Sequence, residues 1–286
     1  MRLAFWQGEF PGTITAALDN LETMVREAKH ERVDAIVFPE LYCGGGYILN
    51  DDATRRVLND EDVDRLQSIA SSYKMAIVVG YYERQPRRRQ QQQQETDDDE
   101  VDDDIVVADD DDGALYNSAM AIDCNGRIVS NYRKSHLFGT VEKKMFSPGN
   151  VPCEPFGMAG VRVAMCICYD VEFPETARLA ALGGAQLLIV PTANMHPYDK
   201  VNDVIIPARA IENHMFVCYC NWGQFVSAEG IRFNGKSSVC GPTGDVLAKF
   251  DNHETGIKIV DIHIKDHPDE DEYLKDRRPE LYRGIH

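Results

Sequence analysis

The sequence predicts an α/β protein with mixed sheets, and two observations carry that prediction. Short apolar runs of strand-like composition alternate along 286 residues with segments whose apolar positions recur at helical spacing. Asn125-Gly126 joins two of the strand-like runs, and that dipeptide is a strong hairpin signal, so a purely parallel sheet is excluded. In chain order the strands fall near 2–6, 34–39, 75–82, 116–123, 127–133, 161–167, 186–191, 216–221, 236–240 and 256–262. The first helix spans 14–29, because Ile14, Ala17, Leu18, Leu21, Met24, Val25 and Ala28 share one face. Val63, Leu66, Ile69, Ala70 and Tyr73 mark a second. The third starts near Pro174 and is stopped by Gly183 and Gly184. Val201, Val204, Ile205, Ala208, Ile211 and Met215 mark the fourth.

Length leaves one domain or two open. A hydrophobic content of 43% and a charged fraction of 27% fit a soluble globular chain. No apolar run reaches the roughly 20 residues of a membrane helix. The start, MRLAFWQGEF, passes straight into a strand pattern without the features of a secretory signal, so a cytoplasmic protein is expected. The net charge is −17, but the stretch from Arg84 to Asp112 holds 12 acids and 4 Arg, a local net of −8. So acidic a chain lacks the basic footprint of sequence-independent nucleic-acid binding. Eight cysteines form no compact framework, and several lie inside apolar runs, which favours free thiols in a reducing compartment. Cys166-x-Cys168 and Cys218-x-Cys220 are too closely spaced for structural zinc; alternation along a strand explains them better.

The segment RQPRRRQQQQQETDDDEVDDDIVVADDDDG, at about 84–113, is too polar and charged to pack, and is read as a disordered insertion. Its flanks resemble neighbouring strands of one sheet, so it interrupts a surface connection and does not divide domains.

Chemistry gathers where three apolar runs end: Glu40 in VDAIVFPELYCGGG, Lys134 in RIVSNYRKSHLFG and Cys168 in VRVAMCICYDVEFPE. A thiol needs a base and nearby positive charge to attack as thiolate, and this trio supplies both. A sharp strand-to-helix turn at Cys168 would expose its sulfur and turn backbone N–H groups near Tyr169 toward an oxyanion. Glu142, eight residues beyond Lys134, either orients the substrate, holds Lys134 charged or is an exposed loop residue. Glu172 suits a substrate amine or caps the following helix, and capping is the preferred reading. Asn194, Met195 and Trp222 are candidate pocket walls; His196 is read as a satisfied loop histidine.

Together these segments resemble the carbon–nitrogen hydrolase (nitrilase) superfamily, through VFPEL, YRKSHLF, ICYDVEFPE, then PTAN at 191–194 and ARAIENHMFVCYCN at 208–221. YDVEFPE and PTANM look most like its R-stereoselective amidase branch. The resemblance implies a four-layer αββα sandwich with mixed sheets, pairing into an αββα–αββα homodimer or a higher even oligomer. It implies one hydrolase domain over 1–265 and a C-terminal tail over 266–286 that reaches across the dimer, although folding over its own subunit explains the tail nearly as well. It further implies Glu40 as base, Lys134 as oxyanion-stabilising cation, Cys168 as nucleophile, Glu142 as an additional active-site glutamate and Tyr169 as an oxyanion N–H, with no metal or organic cofactor. Arg209, Glu212 and Asn213 are read as scaffold. The expected reaction is hydrolysis of a small amide to acid and ammonia through a Cys168 thioester. Nitrile hydrolysis and N-carbamoyl hydrolysis are the neighbouring alternatives, and a non-catalytic binding protein using the acidic insertion is the alternative of another class.

Overall fold

The computed structural model describes residues 1–49, 56–85, 113–264 and 272–283. Most of the predicted insertion, 86–112, lies outside them. Among the described residues, twelve strands form two six-stranded sheets. The first is ordered β12-β1-β2-β3-β4-β5, from β1 (Arg2–Gln7), β2 (Ala35–Val37), β3 (Ala76–Gln85), β4 (Ala114–Ile122), β5 (Ile128–Arg133) and β12 (Gly256–Asp261). The second is ordered β11-β10-β9-β8-β7-β6, from β6 (Phe156–Met158), β7 (Val161–Met165), β8 (Leu187–Pro191), β9 (Phe216–Cys220), β10 (Ser238–Cys240) and β11 (Val246–Lys249). In each sheet three parallel strands (β1–β2–β3 and β7–β8–β9) are flanked by antiparallel ones. The mixed character announced by Asn125-Gly126 is therefore present in both.

Alternation along the strands makes the layers. In β1, Leu3 and Phe5 join the core shared with Val163, Met165, Ile189 and Val217 of the second sheet. Ala4 and Trp6 turn the other way, onto Leu18, Leu21 and Val25 of α1 (Ile14–His30) and Leu66 and Ile69 of α2 (Asp60–Tyr73). Across the second sheet lie α4 (Pro174–Leu182) and α5 (Ile206–Asn213), burying Ala177, Ala180, Ile206 and Ala210. The result is helix, sheet, sheet, helix. Both N-terminal helices are well capped: Thr13 accepts from the Ala16 N–H at 3.1 Å, and Asn59 with Asp62 forms a reciprocal capping box.

The fourth predicted helix is divided. Val201–Ile205 form a π-helical turn that leads into α5, whose second residue, Pro207, lacks the N–H that a regular ladder through this point requires. Three short elements had no sequence signal: β6, β11 and α3 (Gly139–Met145). In the tail, α6 (Glu272–Lys275) lies on its own subunit, where the Tyr273 ring stacks on His214 at 5.1 Å.

Candidate active site

Glu40, Lys134 and Cys168 follow the ends of β2, β5 and β7, so both sheets deliver side chains to one place. The Glu40 backbone is clamped between the sheets: its N–H donates to the Thr192 carbonyl at 3.4 Å, and its carbonyl accepts from Trp222 Nε1 at 3.1 Å. Leu41, with φ of 56°, then turns the chain sharply away. Gly80 on β3 permits this, because a Cβ there would stand 2.4 Å from the Leu41 nitrogen and 2.7 Å from the Glu40 Cα.

The Glu40 carboxylate is fully buried, and Oε1 accepts from Lys134 Nζ and from Asn117 Nδ2, each at 2.7 Å. Oε2 has no partner. An unsatisfied carboxylate oxygen in a buried site is an acceptor kept available for a proton. Lys134 Nζ also donates to Glu142 Oε1 at 2.9 Å. Glu142 is held in turn by the Tyr47 hydroxyl at 2.5 Å and the Phe138 N–H at 2.6 Å. It is therefore a buried residue of α3, and the exposed-loop alternative falls.

Cys168 opens a tight 3-10 turn, Cys168–Glu172, and itself adopts φ of +46°, a left-handed conformation that costs a non-glycine residue of order 1–3 kcal/mol. Asp170 holds that turn. Its Oδ2 accepts from the Ile167 N–H at 3.1 Å and the Tyr132 hydroxyl at 3.0 Å, while Oδ1 accepts from the His136 N–H at 2.8 Å and faces His136 Nδ1 at 2.7 Å. One buried carboxylate thus fixes the nucleophile turn to the segment that carries Lys134. The Tyr169 ring packs edge-on against both Phe138 and Phe173.

The electrostatics couple all four groups. Burial pushes Glu40 above the usual carboxylate range, and the nearby Glu142 charge adds to this against the pull of Lys134. Burial works against a charged Lys134, but Glu142 and Glu40 outweigh it and hold the ammonium well above its ordinary value. Burial and then the Glu40 charge raise the Cys168 thiol, opposed by Lys134 and by a hydrogen bond from the Ala193 backbone. Burial thus favours the protonated thiol over the thiolate, and the Lys134 charge opposes it. The Tyr219 phenol, on β9, is raised by burial and then by the Cys168 charge, against a hydrogen bond with Thr192.

Other predicted contacts sit differently. Trp222 is completely buried, stacked on Tyr42 at 5.7 Å, and supports Glu40 from behind through its Nε1. The Asn194 amide is committed to Asn202 Oδ1 at 2.6 Å and the Tyr198 carbonyl at 3.1 Å, which makes it loop scaffold. Met195 bridges to Phe233 and packs on the neighbouring aromatic cluster. Glu172 does not cap α4: no side-chain capping bond forms at that N-terminus, where Pro174 needs no partner. His196 pairs with Asp199 at 2.9 Å. Arg209 bonds the Val171 and Glu172 carbonyls and Glu212 as scaffold. Asp170, Asn117, Tyr47 and Tyr219 carried no sequence signal of their own. Asp170 and Tyr219 lay inside segments quoted for the resemblance, CYDVEFPE and ARAIENHMFVCYCN, but neither was singled out.

No group of His, Cys, Asp and Glu among the described residues could hold a metal ion, and none of their helices is long and apolar enough to cross a membrane. The carbon-nitrogen hydrolase family matches residues 2–267. The chain is a carbon–nitrogen hydrolase. A protein of Pseudomonas protegens named "Hydrolase in pqqF 5'region" is 36% identical to it over 291 residues, covering 100% of this chain and 92% of that one. An (R)-stereoselective amidase from a Pseudomonas species is 38% identical over 169 residues, 58% of this chain and 60% of the relative. Among solved structures, a mutant amidase from Nesterenkonia sp. AN1, showing Michael addition of acrylamide at its active-site cysteine, superposes with a TM-score of 0.79 at 29% identity, covering 99% of this chain and 98% of that one. The hydrolase thus shares its whole fold with a superfamily amidase, and the predicted αββα architecture is the observed one.

Proposed function

We propose that this hydrolase cleaves a small amide with Glu40, Lys134 and Cys168 as its triad. The observation that carries the reading is the buried Glu40–Lys134 pair, 2.7 Å apart, with a free Glu40 oxygen and the Cys168 thiol in the same electrostatic cluster. The thiol attacks the carbonyl carbon as Glu40 takes its proton, and the oxyanion forms against Lys134 Nζ and the Tyr169 N–H. Collapse breaks the C–N bond. Glu40 gives its proton to the departing nitrogen, which leaves as ammonia and strands the acyl group on sulfur as a thioester. Water then attacks the thioester, Glu40 taking a proton from it, and the second collapse releases the acid and returns that proton to sulfur. Glu142 keeps Lys134 charged and placed throughout.

Intact-protein mass spectrometry over a panel of amides tests this. A Glu40→Gln protein that accumulates an acyl adduct on Cys168, beside a wild type that releases ammonia, is the expected result. Neither adduct nor ammonia from any amide overturns it.

We also propose a homodimer in the cytoplasm. Leu179, Leu182 and Ile211 are about half exposed on the α4–α5 face, as a pairing surface requires, and six buried cysteines are free thiols, as a reducing compartment maintains. Light scattering on the purified protein reads the assembly directly.

A further inference from the structure

Within the proposed amide-hydrolysing site, on which this inference rests, one residue of β4 is bonded to both charged partners. The Asn117 side chain donates from Nδ2 to Glu40 Oε1 at 2.7 Å, and the Asn117 backbone carbonyl accepts from the Lys134 N–H at 2.8 Å. Glu40 and Lys134, 94 positions apart in the chain, are thus set against a single point of the first sheet. Chemistry fixes the direction of the side-chain bond. Glu40 Oε1 accepts from Lys134 Nζ as well, at 2.7 Å, and an amide turned end for end would set Asn117 Oδ1 against that oxygen, acceptor to acceptor.

Both donors converge on Oε1, and two oxygens are left over. Glu40 Oε2 and Asn117 Oδ1 are buried, and neither has a hydrogen-bond partner among the described residues. A buried acceptor without a donor costs stability, and asparagine is depleted in strands, so packing gives β4 no reason to carry this side chain here. What the amide adds is asymmetry. With Nδ2 and Nζ both on Oε1, the carboxylate cannot rotate about its last bond without losing both contacts, and its two oxygens stay distinct.

We propose that Asn117 is the positioning residue of the base, pinning Glu40 Oε1 against Lys134 so that Oε2 alone takes the thiol proton and later returns it. Asn117 acts through Glu40, and its bond also favours the ionised carboxylate, as the Lys134 charge does, against burial and the Glu142 charge. The other titratable groups that sense Glu40 are the Cys168 thiol and the Tyr47, Tyr82 and Tyr219 phenols, all raised by burial. Replacing Asn117 removes none of them, so a displaced titration of Glu40 reports the lost amide.

The test follows the acid limb of the pH profile in Asn117→Leu, which fills the space without a donor, and in Asn117→Ala, which empties it. In kcat/KM for an amide that is turned over, the limb moves up by about one pH unit in both. On the plateau kcat falls by about tenfold while KM stays within about twofold. A second arm needs no amide turnover. Chloroacetamide alkylates Cys168: the sulfur bonds to the methylene carbon, chloride leaves, and the thiol proton passes to Glu40. Its rate is read by mass spectrometry on the Cys168 peptide, apart from the other cysteines, and Glu40→Gln identifies the limb that belongs to Glu40. The same upward displacement is expected. A limb that stays at the wild-type pH in every arm and variant that can be read overturns the assignment even if rates fall, because a merely structural amide lowers the rate and leaves the titration in place. No turnover of any amide, together with a displaced alkylation limb, would sink the amide reaction and leave Asn117 as the positioning residue of Glu40.

Discussion

Glu40, the proposed base, sits where burial disfavours its charge. Because burial and Glu142 raise it above the usual carboxylate range, kcat/KM should fall with decreasing pH along a limb set higher than an ordinary glutamate would set it. The same shift has a consequence for stability. A carboxyl raised in the folded state binds its proton more tightly there than when unfolded, so ionised Glu40 lowers stability at neutral pH, and protonation through its folded value relieves this. Glu40→Gln should therefore lose about 10²–10⁴ in kcat and yet melt at or above the wild-type temperature, since Lys134 keeps Glu142 as counter-ion. Parallel rate and melting measurements check both, and a large drop in Tm would contradict the linkage. The three residues of the proposed triad were legible because each ends an apolar run in a recognisable motif. Their supports were not: Asn117 meets Glu40 across 77 positions and Tyr47 meets Glu142 across 95, and neither spacing leaves a local trace.

At the level of elements, two tight fits hold the triad members together. Gly80 lets β3 pass against the Pro39–Leu41 corner, with its N–H on the Pro39 carbonyl at 3.2 Å. Gly80→Ala would bring a methyl to 2.6 Å from that same oxygen, so the corner must move and Glu40 with it. A fall of about 10² or more in kcat is expected, with a destabilisation of about 1–3 kcal/mol from overpacking. The second fit is Asp170. Asp170→Ala strands the buried Ile167 N–H, leaves the Tyr132 hydroxyl only Ser135 Oγ at 3.0 Å and frees the strained Cys168 turn, so a loss of about 3–5 kcal/mol in urea unfolding is expected. Asp170→Asn should recover part of that stability but less of the rate, since an amide cannot accept at all four contacts. The long strands and the first two helices were readable from period alone, whereas β6 and β11, of three and four residues, are too short to show one. The π-helical turn before Pro207 follows from the missing N–H of proline, which apolar spacing does not register.

Over the whole molecule, the two sheets are the frame, and the acidic tract is proposed to be only a connection between two of their strands. β3 and β4 pair without a break along nine residues, from Ile77 with Ile122 to Gln85 with Ala114, so Gln85 and Ala114, on either side of the tract in sequence, are neighbours across the sheet. Removing 86–112 and joining Gln85 to Gly113 through Asn-Gly asks the chain to make only a tight hairpin, and the closure entropy changes little with loop length. The deletion takes away 12 acids and 3 Arg, moving the net charge from −17 to −8. The shortened hydrolase should keep kcat/KM within about twofold and its Tm within a few degrees, while eluting earlier from an anion exchanger. Reduced self-repulsion favours the compact state, so any shift in Tm should be upward at low salt and should fade as salt is added. Loss of turnover with an intact melting transition would mean that the acidic tract acts on the Glu40–Lys134–Cys168 site, and would refute its reading as a connection.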